Sequence, residues 1–343
     1  MLGEAIRGTN TGVSAELVED AAKRLDGLAV PTPLVESPQL NEALGMRLLF
    51  KAECLQRTGS FKFRGAYTKL SRLPVHARSS GVVAYSSGNH AQGVAAAARL
   101  LELPATIFMP GDAPAIKINN TRALGADVVF FDRNGDDRKA LAQERAAETG
   151  AAIIPPFDDV DVISGQATVG LEIVRQTRRM NLDIDHVICP VGGGGLLSGI
   201  SVAIKAHSPQ SHLWCAEPEH YDDMVLSLNA GKRVSIAPGS PTICDSIATP
   251  QPGLITFEII RTNVSGGFVV SDREVMSAMA VLFERLKLVA EPGGCAGFAA
   301  LLQQLERFKD KTVVVVVSGG NVDRSTYSRI LDAAEPLHIG FPD

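Results

Sequence analysis

Lys62 stands in Gly59-Ser60-Phe61-Lys62-Phe63-Arg64-Gly65-Ala66, a lone lysine between two aromatic rings. An amine in a partly apolar site loses proton affinity, because burial disfavours the charged form. The neutral amine can then attack an aldehyde, the requirement for a Schiff-base lysine. The plain alternative is a solvated lysine opening a helix, and the flanking rings argue against it. A second block, Gly192-Gly193-Gly194-Gly195, lies between Val187-Ile188-Cys189 and a helical stretch from Leu197. Four glycines remove every Cβ, so successive backbone N–H groups can converge on an anion at a helix N-terminus. No Gly-Lys-Ser/Thr follows, and the spacing is wrong for a dinucleotide fingerprint. The loop reads as a phosphate site of another kind.

Three weaker signals accompany these two. Ser86-Ser87-Gly88-Asn89-His90 joins a strand to a helix, where a helix N-terminus suits a carboxylate. Simple N-capping by Ser87 or Asn89 would also account for it. Ser318-Gly319-Gly320-Asn321 ends a strand, at the edge where open α/β sheets place ligands. Glu217 and Asp223 lie on an irregular loop and can share one hard cation, completed by a carbonyl and waters. Acidic loops of this kind are more often just solvated.

Strand and helix signals alternate along the chain. Strands are expected at 81–85, 105–109 and 127–131, with helices at 91–101, 116–124 and 136–149, the last stopped by Gly150. The rhythm returns with a helix at 169–177, strands at 186–189 and 213–216, and a helix at 197–206. A stretch without clean period covers 217–252. Helices at 272–286 and 295–308 then precede a strand at 312–317. This is an α/β chain with two parallel-sheet units.

Bulk properties bound the function. The chain has 343 residues and a net charge of −5, with no basic stripe, which argues against nucleic acid. Apolar runs such as Val313 to Val317 are too short to span a bilayer, and Met1 to Asn10 has no signal-peptide character. The five cysteines form no C-x-x-C pair and read as free thiols of a reducing, cytoplasmic compartment.

Taken in order, the four glycine-containing blocks resemble the pyridoxal-phosphate (PLP) enzymes of the tryptophan-synthase β fold, and within them the serine/threonine dehydratase and serine racemase family. The resemblance covers nearly the whole chain and includes Gly165-Gln166-Ala167-Thr168. It implies a large PLP-binding domain from residues 1–75 and 157–343, a small inserted domain from 76–156, and no regulatory domain after them. The cofactor would lie in the interdomain cleft. Phe61 and the Schiff-base Lys62 would flank the ring, and Gly192, Gly193, Gly194, Gly195 and Leu196 would hold the phosphate. Asn89 would donate to the phenolic oxygen, Ser318 would meet the pyridine nitrogen, and Glu291 would lie near the ring. A serine at that nitrogen makes a weaker electron sink than an aspartate, which favours β-elimination over transamination.

For the substrate, the resemblance assigns Ser86, Ser87, Gly88, Asn89 and His90 to the α-carboxylate. It places Arg138 in the cleft, although the residue pattern fits a solvated helix face equally well. Glu217, Asp223 and the main-chain carbonyl of Tyr221 would hold Mg2+, or Ca2+ or Mn2+, and the chain would be a homodimer. The implied reaction is dehydration of a β-hydroxy L-amino acid (L-threonine, L-serine or L-threo-3-hydroxyaspartate) to a 2-oxo acid and ammonia. Ser87 matches the serine of eukaryotic-type serine racemases, where most threonine dehydratases carry alanine, so racemisation is an alternative. A hydroxyectoine-pathway dehydratase, a β-replacement enzyme and a non-catalytic PLP or amino-acid sensor are the other readings.

Overall fold

Five successive valines, Val313 to Val317, are fully buried on both faces of a sheet. Val313, Val315 and Val317 enter one apolar cluster, while Val314 and Val316 enter another. That is the signature of a central parallel strand covered by helices on both sides. A computed structural model describes residues 11–86, 88–113, 115–132, 135–237 and 241–336. Its strands are β1 (Leu34–Val35), β2 (Arg47–Ala52), β3 (Val82–Tyr85), β4 (Ala105–Pro110), β5 (Asp127–Phe131), β6 (Ala152–Ile153), β7 (His186–Pro190), β8 (His212–Pro218), β9 (Gly266–Val270) and β10 (Thr312–Val317).

They form two sheets. The six-stranded sheet has the order β1-β2-β10-β7-β8-β9, and the four-stranded sheet the order β5-β4-β3-β6. Among the described residues every strand pairing is parallel except β1 with β2. In the larger sheet β10 inserts between β2 and β7, so the chain order reverses there. Ligands of open parallel sheets sit outside the carboxyl ends of strands at such a switch point. Ser318 directly follows β10, and the glycine loop follows β7.

Several elements differ from the sequence expectation. The helix expected at 169–177 runs from Val160 to Arg179, started by Asp159, whose carboxylate accepts from the N–H groups of Asp161 and Val162. Ser164, Gly165 and Gln166 hid its first turns by interrupting the apolar period. All three are buried, with Gly165 and Gln166 against the helix Lys62–Ser71. The stretch expected to be irregular contains the helix Asp223–Ala230, closed by Gly231 in a left-handed conformation. The helix expected at 295–308 is two, Pro292–Leu302 and Leu305–Phe308.

Candidate active site

The helix Lys62–Ser71 starts at the lysine itself, and no side chain caps its first turn. Lys62 is partly buried, and its Nζ donates to the Pro156 carbonyl at 2.8 Å. Burial lowers the pKa of this amine to about 8, against an opposing pull from Glu291. The two flanking rings part company. Phe61 lies beside the amine, its ring centroid 5.1 Å from Nζ, whereas Phe63 is fully buried in the core under the four-stranded sheet. Positions two apart in a helix point about 200° apart, so the two rings enter different surroundings.

Across the cleft, Gly194 precedes the helix Gly195–His207 with φ 94°, and no side chain caps that helix either. Its first N–H groups therefore remain available to an anion. The loop is packed from behind. A Cβ on Gly193 would stand 2.4 Å from the Phe157 ring, and one on Gly195 would stand 2.9 Å from Phe157 Cβ. The Gly193 carbonyl accepts from Thr256 Oγ1 at 2.6 Å, which pins the loop from its other side.

The third wall follows β3. Ser86 Oγ accepts from the Gly88 N–H at 3.2 Å, and Asn89 opens the helix Asn89–Leu100. Asn89 is clamped: its amide donates to Glu291, and its carbonyl accepts from Asn321 Nδ2 at 2.8 Å. Burial pushes the Glu291 carboxyl up to about 7 against the pull of Lys117, and Glu291 Oε2 has no protein partner. His90 is buried with Nε2 2.9 Å from the Ile154 carbonyl, and burial depresses its pKa to about 3, so its ring is neutral. Ser87 lies outside the described residues.

One cleft is lined by Phe61, Lys62, Ser86, Gly88, Asn89, His90, Arg138, the four glycines, Leu196 and Ser318. Glu291 joins it through Asn89. Arg138 is exposed, 5.9 Å from the Tyr85 ring centroid. Sequence reasoning passed over Lys117, Asp245 and Phe157, which also line the cleft. Lys117 is buried, its Nζ 3.4 Å from Asp245, yet its segment Ala115 to Ala123 looks like any polar helix. Only the aromatic Phe157 between Pro156 and Asp158 offered a sequence signal.

Glu217, Tyr221 and Asp223 lie elsewhere, around the end of β8. Glu217 and Asp223 are both fully buried. The Glu217 carboxylate accepts from the N–H groups of Met224 at 3.1 Å and Val225 at 2.8 Å, while neither Asp223 oxygen has a partner. Burial and then the Asp223 charge push Glu217 well above the usual carboxylate range, and burial pushes Asp223 up to about 7. Among the described residues no group of three or more His, Cys, Asp or Glu could hold a metal. Also among them, no helix is long and apolar enough to cross a membrane.

A cradle that excludes side chains, facing a lysine of lowered proton affinity at a sheet switch point, has the chemistry that a phosphorylated aldehyde cofactor requires. The family profile described as "Pyridoxal-phosphate dependent enzyme" matches residues 25–319, and the chain belongs to that family. It is 45% identical over 311 residues to an L-threo-3-hydroxyaspartate ammonia-lyase from Pseudomonas sp, covering 91% of this chain and 96% of the relative. Among solved structures it is similar to a threonine deaminase from T.th., with TM-score 0.85, 44% identity, and coverage of 90% of this chain and 99% of the other. Maize serine racemase superposes with TM-score 0.87 at 36% identity, over 93% of this chain and 96% of the other.

Proposed function

We propose that this chain is a PLP-dependent ammonia-lyase that converts L-threo-3-hydroxyaspartate to a 2-oxo acid and ammonia, with L-threonine and L-serine as poorer substrates. The observation that carries the reading is Lys62 facing the side-chain-free glycine loop across one cleft. The residues fit PLP: the glycine loop has no room for a Cβ, its helix is uncapped, and buried Glu291 Oε2 has no protein partner. PLP, when bound, supplies an electron sink for negative charge developing at the substrate Cα.

The chain's own residues do the rest. The glycine-loop N–H groups and Leu196 hold the phosphate. Lys62, whose amine gives up its proton near pH 8, takes the proton from Cα. Asn89, fixed by Glu291 and Asn321, would hold the cofactor through its phenolic oxygen, and Ser318 would hold it through its ring nitrogen. The loop Ser86 to His90 binds the α-carboxylate at the start of its helix. A substrate with a second carboxylate suits a cleft that also presents the Arg138 guanidinium, while Lys117 there is paired with Asp245. The hydroxyl leaves Cβ as water with the proton that Lys62 took from Cα, and hydrolysis of the resulting enamine releases the oxo acid and ammonia.

The two separate sheets support a large domain of residues 1–75 and 157–343 and a small one of 76–156, and assembly as a homodimer belongs to the proposal through the family resemblance alone. Purified enzyme offered the three hydroxy-amino acids in turn tests the reading by oxo-acid and ammonia release. Oxo acid should form with the highest kcat/KM from L-threo-3-hydroxyaspartate. Inversion of serine without oxo acid from any substrate would replace the reading with a racemase.

Mg2+ between Glu217, Asp223 and the Tyr221 carbonyl belongs to the same proposal, supported by the two unpartnered Asp223 oxygens. Two buried carboxylates and a carbonyl, completed by water, suit a hard divalent cation. Removing it with EDTA is expected to lower Tm by about 5 °C, reversed by Mg2+, because a ligand held by the folded state alone stabilises it. A melting curve indifferent to EDTA and to added Mg2+ would dismiss the site.

A further inference from the structure

Arg64 follows Lys62 by two residues, so it points about 200° away around the same helix. Lys62 faces the cleft, and Arg64 faces inward, with a side chain only 1% exposed. There it meets two carboxylates, Glu53 eleven residues before it and Glu172 108 residues after it. Nε and Nη2 donate to the two oxygens of Glu53, both at 2.8 Å. Nη1 and Nη2 donate to the two oxygens of Glu172 at 2.6 and 3.0 Å. Thr168 Oγ1 and the Val30 carbonyl, both at 3.3 Å, take the remaining contacts. Lys51, fully buried, completes the group by donating to Glu172 at 2.6 Å and to the Thr32 carbonyl at 2.7 Å. Two cations and two anions thus balance in the interior.

The members come from different elements. Lys51 is in β2 and Glu53 directly follows it, Glu172 is in the helix Val160–Arg179, and Arg64 is in the lysine helix. The two helices touch so closely that a Cβ on Gly165 would stand 2.6 Å from the Arg64 carbonyl. A planar fork bonded on both edges fixes rotation about the helix axis, which apolar packing alone leaves softer. No side-chain cap secures the first turn of that helix.

We propose that Arg64, held between Glu53 and Glu172, is the positioning residue for Lys62, setting the rotation of the lysine helix and hence the aim of the amine into the cleft. The inference rests on the reading of Lys62 as the cofactor lysine. Arg64→Lys keeps the charge and loses the fork. It should retain the visible band of lysine-bound PLP, lower kcat by 10- to 100-fold with KM changed less than twofold (about 1.4 to 2.7 kcal/mol at 1.36 per decade), and raise the pH midpoint of kcat as water reaches the amine. A lower Tm with wild-type kcat and pH profile would make the group a fold element alone and overturn the proposal. If Arg64→Lys fails to fold, Glu172→Gln, at a side chain 20% exposed, decides on the same two readouts. Wild-type protein without the PLP band, or Lys62→Ala with full turnover, would instead remove the reading of Lys62, and this proposal with it.

Discussion

Lys62→Ala is expected to lower kcat by about 10³-fold, within the range for losing a positioned acid-base group, and to erase the visible absorbance of lysine-bound PLP. Two features make the amine suited to this duty. It is withdrawn from water beside Phe61, and it is held by a single hydrogen bond to a neutral carbonyl, that of Pro156. Neither compensates a full charge, so burial favours the neutral form and the pKa falls to about 8. The sign gives a second expectation. Only the neutral amine is a nucleophile, so capture of PLP by cofactor-free enzyme should quicken as pH rises and level off above about 8. Added methylamine should restore part of the activity of the alanine variant, because a small amine can occupy the vacated space. Stopped-flow absorbance and steady-state kinetics read all three. Unchanged turnover together with an unchanged spectrum would end the assignment.

What could be read before the structure was local. Lys62, the four glycines and the strand ends after β3, β7 and β10 announce themselves through neighbours one to four residues away. Partnerships across the chain do not. Lys51 and Glu53 look like ordinary solvated charges until Glu172, 121 residues beyond Lys51, closes on them. Lys117 is invisible for the same reason: its partner Asp245 lies 128 residues on. Periodicity failed where small polar residues are buried, as at Ser164 to Gln166, because helix–helix contact there selects for size instead of hydrophobicity. The phenylalanines beside Lys62 show the opposite limit, since sequence adjacency did not tell which ring shares the amine's side of the helix.

Gly193→Ala carries the second large effect, and it separates a phosphate cradle from a flexible turn. The added Cβ would stand 2.4 Å from three atoms of the Phe157 ring, closer than real methyl groups approach carbon. The loop cannot retreat the other way, because its carbonyl is held by Thr256 Oγ1 at 2.6 Å and by the Gly253 N–H at 3.2 Å. Either the ring or the peptide must turn, and a turned peptide withdraws an N–H from the anion. Losing one such charge-assisted hydrogen bond weakens PLP binding by roughly 10- to 100-fold. Pyridoxal, which has the aldehyde and lacks the phosphate, should bind the variant and the parent alike, so the preference for PLP over pyridoxal collapses. Phe157→Ala in the same chain opens space for the methyl and should recover most of the loss, a coupling that a double-mutant cycle measures directly. Equilibrium titration of the four cofactor-free proteins with both aldehydes gives the four preference ratios required. If the alanine variant keeps the full preference for PLP, the phosphate is held somewhere other than Gly192 to Gly195.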